Sequence, residues 1–410
     1  MGFEQALSGL QAASQNLDVI GNNIANASTI GYKDATTQFA DVYANTLGGG
    51  STLQIGLGVD VAAVTPQFTQ GTITTTGNPL NVAINGSGFF QEMNNGIVTY
   101  SRDGEFSTDA NGNIVNTAGL QLLGYPANAA GTISAGPPVP LSLSQAPVPP
   151  AATTTSNVSL NLDANSTPIP VGTPFNPANS ASYNSSTSMT VYDSQGNAHT
   201  LSLYFVNTAA NAWSVYATGD GATLNGGAAV GALNFNTAGT LAGGANVTMN
   251  LSMPLTNGAT NPLNFTTTFP DASTSQYGVA FAVNSNTQNG YTTGQLSGYS
   301  IGQNGVITGQ YTNGQTLDLG QIALANFTNP QGLIAMGGNQ FAQSATSGAP
   351  IVGAPGSGSL GSVQSGALEN STVDITTELV NMITAQRVYQ ANAETVKTED
   401  QVQQTLMNLR

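Results

Sequence analysis

The chain changes its hydrophobic period twice. Near the start, Phe3, Leu7, Leu10, Leu17 and Ile24 recur at steps of three, four and seven, which places them on one narrow stripe of a helix. The same spacing returns at Ile375, Leu379, Met382, Tyr389 and Val396, and continues with a slight phase drift through Val402, Leu406 and Leu409. Between these ends the period is two. Val59, Val61 and Ala63, then Leu80, Val82 and Ile84, alternate as half-buried strands do, and further strands are predicted at 100–106 and 114–125. Beyond them lie candidates at 158–162, 189–192, 199–206, 213–217, 232–235, 247–253 and 263–269, with no ten-residue helical run among them.

This pattern predicts a mainly β fold with terminal α-helices. The N- and C-terminal helices form a coiled-coil-like pair, and nested all-β domains are inserted between them. The helical segments are 1–27 and 372–410, with Gly-, Thr- and Ser-rich connectors at 28–58 and 345–371. A first β domain spans 59–145 and 286–344. Residues 146–285, entered through the stiff stretch that holds Pro137, Pro138, Pro140, Pro147, Pro149 and Pro150, form a β domain inserted into it. Such nesting brings both termini to one end. The first helix should fray near Asn26, after Asn22 and Asn23 weaken it, and Gly31 stops its pattern. Ser371 to Asp374 has the spacing of a capping box for the second.

The connectors raise a packing question. The first closes on Gly48, Gly49 and Gly50 and reads as mobile unless another surface holds it. Helices separated in this way from their own β domain, and only marginally stable alone, need a partner elsewhere. The eleven stripe positions Phe3, Leu7, Leu10, Leu17, Ile24, Ile375, Leu379, Met382, Tyr389, Val396 and Leu406 are therefore the candidate contact with other molecules.

Composition narrows the partners. Five basic residues face 20 acidic ones for a net charge of −15, so neither a nucleic acid backbone nor an anionic lipid surface suits the chain. Charged residues are only 6%, and Asn, Gln, Ser, Thr and Gly supply the polarity. Such a surface does little to repel a copy of itself. Cysteine is absent, which removes disulfides and thiol chemistry. Glu4, Gln5, Gln11, Gln15, Asn16 and Asp18 occupy the place of a cleaved signal's basic and apolar regions, and no window has the length of a membrane span.

The candidate chemistry is thin. Asp109, Asn111 and Asn113 sit where a calcium loop has ligands, but Ile114 replaces the required Gly and Leu120 the required Glu, so the segment is a hairpin turn. His199 is the sole histidine, and nothing in the sequence supplies it with a nucleophile or a metal partner. Gly56-Leu-Gly58 lacks a third glycine and a following helix. Trp213 with Tyr192, Tyr204 and Tyr216 would suit a sugar platform, but large aromatics are more often core. No catalytic, metal or cofactor site is assigned, and no enzyme activity is expected.

The terminal motifs are specific. Ser-Gly-Leu-Gln-Ala-Ala-Ser-Gln-Asn-Leu-Asp-Val-Ile-Gly-Asn-Asn-Ile-Ala-Asn-Ala-Ser-Thr-Ile-Gly-Tyr-Lys over 8–33 closely resembles the N-terminal motif of bacterial flagellar rod and hook proteins. Leu368-Glu-Asn-Ser-Thr-Val-Asp374 and Met382-Ile-Thr-Ala-Gln-Arg-Val-Tyr-Gln-Ala-Asn392 resemble their C-terminal motif. Gly77-Asn-Pro-Leu-Asn-Val-Ala-Ile-Asn-Gly-Ser-Gly-Phe-Phe90 and Tyr100-Ser-Arg-Asp-Gly-Glu-Phe106 match their shared β-domain signatures. Asn81 and Thr372 depart from the Asp and Asn common in relatives, both as small polar swaps. Length and the extra middle domain are similar to the hook branch.

The resemblance implies a structural subunit that polymerises into the flagellar hook, a flexible curved tube acting as a universal joint between motor and filament. It implies self-association in a helical homopolymer, and as further partners the distal rod protein, the hook cap protein, the hook–filament junction protein and the flagellar type III export apparatus. It also implies an extracellular place on the flagellum reached without a cleaved signal. A distal rod or hook–filament junction protein is the nearest alternative. An extracellular β-rich adhesin, from a different class, would share the composition but not the paired terminal motifs.

Overall fold

A computed structural model describes residues 2–42, 56–144, 146–170 and 172–408. Gly48 to Gly50 and Leu409, singled out above, lie outside the described residues. Among the described residues there are two α-helices, α1 (Gly2–Ala25) and α2 (Ile375–Asn408), with strands and short 3-10 turns between them. This is the expected fold class. The chain divides into two compact units, one built from 1–145, 298–310 and 316–410, the other from 146–297 and 311–315.

In the first unit, strand β1 (Ala35–Val42) pairs antiparallel with β2 (Gly58–Pro66), and both lie along α1. Two short strands follow, β3 (Ile73–Thr75) and β4 (Val82–Asn85). The body of the unit is a sheet in which Phe89–Asn94 pairs with Ile97–Ser101, Gln121–Pro126 and Leu324–Asn326. Phe89 and Phe90 are both buried and, being neighbours on a strand, enter different clusters. Phe90 packs edge-on against Phe106, and Phe89 joins Phe68, Phe327 and Phe341.

Both connectors are more structured than their composition predicts. Residues 35–42 and 58–66 form the β1–β2 hairpin just described, inside the span 28–58 and its continuation. Within 345–371, Ile351–Gly353 pairs with Leu324–Asn326, Ser362–Ser365 pairs with β4, and Ala367–Glu369 pairs with β3. The Gly, Ser and Thr residues that read as a flexible tether supply short strands, two of which pair with β3 and β4 far away in sequence. The expectation that the helices do not pack on their own β residues is corrected with it, since α1 packs on β1 and β2 as well as on α2.

The second unit is all-β. One sheet runs Ser185–Tyr192, Ala198–Ala209 and Ala212–Gly219; the other joins Val247–Met253, Leu263–Phe269, Thr155–Asp163 and Ala282–Gln288. Leu201, Leu203 and Phe205 alternate inward with Trp213 and Val215 to meet Leu160, Leu251 and Phe269 in one core. Trp213 is thus core, as the commoner reading expects, while Tyr204 and Tyr216 pair across strands on the opposite face, where Phe175 stacks on Tyr216 at 4.5 Å. Two turns share one device. Asp109 and Asp193 each accept two backbone N–H bonds from residues two and four ahead, and Gly112 or Gly196, at φ of 82°, closes the turn.

Candidate assembly interface

Three of the motifs quoted above meet at one carboxylate. Glu369 is buried, with Lys33 Nζ 2.7 Å from one oxygen and an Arg102 guanidinium nitrogen 3.2 Å from the other. The Gly71 N–H donates to the first oxygen at 2.7 Å, and Lys33 and Arg102 donate onward to the carbonyls of Thr69 and Gly86. Lys33 ends the first motif, Arg102 sits in the second β signature and Glu369 stands just ahead of α2. Burial pushes the pKa of both cations down, and the Glu369 charge opposes that shift. The approach is close enough to exclude a side chain at Gly31, where a Cβ would lie 2.6 Å from the Arg102 backbone. Two of the chain's five basic residues are therefore committed to this buried node.

Around the node the helices are fastened at their bases. The Asn23 side chain accepts from the Ala35 N–H at 3.0 Å and donates to the Ala35 carbonyl at 2.9 Å, locking the end of α1 to the start of β1. Asn23 entered the sequence reading only as a weak helix former, and its burial and double bond are visible only in three dimensions. The Thr372 hydroxyl accepts from the Asp34 N–H and donates to the Asp34 carboxylate, tying the approach to α2 to the exit from α1. Asp374, not Ser371, caps α2, its carboxylate accepting from the N–H groups of Thr376 and Thr377.

The two helices are antiparallel in a constant register. Gly2 lies against Glu399, Gly9 against Asn392, and Asn23 beside Glu378. On α1 the buried residues are Ala6, Ala12, Ala13, Ile20 and Asn23. A Cβ on Gly9 would come within 2.8 Å of the Asn392 amide, so the helices approach through glycine and alanine. On α2 the buried residue is Ala385.

The large apolar stripe lies one position round from this seam. Phe3 and Leu7 are exposed, and Leu10, Leu17 and Ile24 are half-buried. On α2 the predicted set divides. Met382 and Val396 are half-buried, while Ile375, Leu379, Tyr389 and Leu406 are exposed, as are Val380, Ile383, Val388, Val402 and Met407, which the stripe did not include beyond Val402. The helix pair consequently presents leucine, isoleucine, valine and tyrosine outward while its own contact consumes small residues.

In the second unit His199 lies between two carboxylates, with Nδ1 2.6 Å from Asp220 and Nε2 3.2 Å from Asp193. Burial lowers the imidazole pKa, but the hydrogen bonds to Asp220 and Asp193 outweigh it, so the net shift is upward. Among the described residues no group of three or more His, Asp or Glu side chains is placed to hold a metal ion, and no helix is long and apolar enough to cross a membrane.

Comparison with known proteins agrees with the motifs. Residues 3–33 match the flagella basal body rod protein family, 83–169 the flagellar hook protein FlgE/F/G D1 domain, 161–291 the flagellar basal body protein FlaE D2 domain, and 364–409 the flagellar basal body rod FlgEFG protein C-terminal family. Over 414 residues that cover all of both chains, the protein is 47% identical to flagellar hook protein FlgE of Escherichia coli strain K12. The chain belongs to the flagellar hook protein family. Hook proteins of Salmonella typhimurium and Borreliella burgdorferi are 46% and 32% identical, the latter over 98% of each chain. The crystal structure of Helicobacter pylori flagellar hook protein FlgE2 shares the fold at a TM-score of 0.52 and 15% identity, covering 72% of this chain and 100% of that one. The protein is a structural subunit of the flagellar hook and has its place outside the cell. In a hook subunit, the Glu369 node joins the helical part of the first unit to its β body.

Proposed function

We propose that this hook subunit polymerises through the apolar side chains that α1 and α2 present outward, chiefly Phe3, Leu7, Ile375, Leu379, Tyr389 and Leu406, with Leu10, Leu17, Ile24, Met382 and Val396 completing the contact. One observation carries this reading: the helices meet through glycine and alanine, so most of their larger apolar residues stay exposed or only half-buried in the single chain. Each Leu, Ile or Tyr left roughly half exposed has on the order of 1 kcal/mol still to gain from burial. Summed over two helices and repeated in every subunit, that gain favours a helical homopolymer.

The second unit suits a sliding contact. From Asp103 to Gln386 the chain holds no lysine or arginine, and its surface polarity comes from Asn, Ser and Thr. Such groups exchange hydrogen bonds between neighbours and water at little net cost. The helices then hold the tube while these surfaces shift as it bends, which is how a universal joint between rod and filament works. The distal rod, cap and junction proteins would meet the same helical surfaces at the two ends of the tube. As a hook subunit the chain would reach the tube through the flagellar type III export apparatus.

Salting-out of purified protein followed by electron microscopy tests the reading. The unaltered chain should give tubes, and the double variant Leu379→Asp, Tyr389→Asp should stay monomeric with its β units folded. Tubes of ordinary calibre from that variant would overturn the proposal.

A further inference from the structure

The register of the helix pair leaves α2 longer than its partner. Gly2 lies against Glu399, so residues 400–408 run on past the start of α1 by about 12 Å at the α-helical rise. This overhang carries Val402, Leu406 and Met407 at 50%, 63% and 71% exposure. Val402 and Leu406 are four residues apart and share a face. Asp400 is the one charged residue of 400–408, and the Gln404 amide donates to it at 3.0 Å. Beyond Asp400 the tip has no charged residue among the described residues and exposes Val402, Leu406 and Met407 past the start of α1.

A complementary groove opens elsewhere on the same pair. It lies between α1, α2 and the β1–β2 hairpin, has a volume of about 680 Å³, and is walled by Ala12, Val19, Phe39, Val59 and Val388 among others. Glu378 is the single charged residue of its lining. Cavities of roughly 300–1,000 Å³ accept several apolar groups at once, so the groove has room for the face of one or two helical turns. Its own tip does not reach it, because Leu406 and Val388 are 18 residues apart on one helix, about 27 Å.

We infer that the α2 overhang of one copy seats in the groove of the next. The inference rests on the proposed polymerisation through the helices and adds its direction. Tip and groove are different surfaces of one molecule, so the contact is heterologous, and a heterologous contact that does not close generates an open helical array in place of a dimer. The partner is therefore a second copy of this chain, joined head to tail along the tube.

The absence of cysteine makes the test clean. In the variant L406C/V388C, tubes are formed by salting-out, treated with a short bismaleimide and dissolved in detergent. The expected result is a ladder of dimers, trimers and longer chains, since the distance along one helix forbids a link within a copy. The pair M407C/V19C repeats the test at neighbouring positions in case the first pair assembles poorly. Tubes that yield no crosslink with either pair would overturn the inference, as would dimers from L406C alone, which would mean tip meeting tip. Failure of the unaltered chain to form tubes would instead sink the polymerisation reading itself.

Discussion

Lys33 and Glu369 stand 336 positions apart in the chain and form a buried ion pair at 2.7 Å, with Arg102 on the other carboxylate oxygen. The node closes the chain on itself where both helices leave the β body. Its cations have no water to fall back on if the carboxylate is lost.

Replacing Glu369 by Gln should therefore be strongly destabilising. Removing one partner of a buried charge cluster costs about 3–5 kcal/mol, because the remaining charges stay desolvated. Calorimetry should show the transition of the first unit moving down by many degrees while that of the second stays in place. An unchanged first transition would mean that the node is not what joins these segments.

The seam between the helices predicts a second effect. Gly9→Leu places a large side chain where even a Cβ meets the Asn392 amide at 2.8 Å, and overpacking of this kind costs about 1–3 kcal/mol. Helical circular dichroism of the monomer should fall. An exposed-face change on the same helix, such as Gln11→Leu, should leave it intact, so equal losses from both would refute the seam.

Glu92 supplies a pH dependence. It is fully buried, and burial pushes its carboxyl up to about 7 although Asn116 and Gln340 both donate to it at 2.6 Å. A carboxyl raised in the fold binds its proton more tightly there than in the unfolded chain. Its contribution is thus favourable below the ordinary value of 4.5 and is lost as pH rises through about 7, a swing on the order of 3 kcal/mol. Thermal melts of Glu92→Gln should show less loss of stability between pH 5 and 8 than the unaltered chain. Parallel curves would contradict the assignment.

His199 and its carboxylates give the second unit a stability window. The raised imidazole pKa means that its contribution is fully present below the unfolded value of about 6.5 and fades as pH rises through the folded value. Asp193 is held down by Asn197, Asn257 and His199 against the opposing effect of burial, and Asp220 is likewise lowered, so their contributions fade as pH falls. Trp213, the sole tryptophan, sits in the core of this unit and reports it alone. Urea titrations followed by its fluorescence should show greatest stability in mildly acidic solution. His199→Gln should flatten the alkaline side, and the proton resonance of this one histidine should titrate above the usual range.

Much of the fold is legible in residue order. The strands around Met189, Leu201 and Trp213 alternate cleanly because one side of each is core and the other faces solvent. Both helices declare themselves by steps of three and four. The strands of 351–369 do not, because each is only three or four residues long, and the two at 362–365 and 367–369 are held by β4 and β3 nearly 300 positions away. Composition cannot separate such a strand from a tether. Nor could spacing alone show that Asn23 would be buried, or that Lys33, Arg102 and Glu369 would share one site.

The sequence by itself determined the two helices and the longer strands, since periodic burial and backbone hydrogen bonding act within a few residues of one another. It also determined the family, through motifs that lie in those elements. Only the tertiary structure decided which helix stripe faces inward. Large residues make the stronger periodic signal, yet Gly2, Ala6, Gly9 and Ala13 permit the closest approach of two helices, and the chain uses them for its own seam. The larger side chains Phe3, Leu7, Leu379 and Tyr389 remain outside. Which stripe is buried depends on how closely the two helices approach each other, a distance that no local pattern encodes.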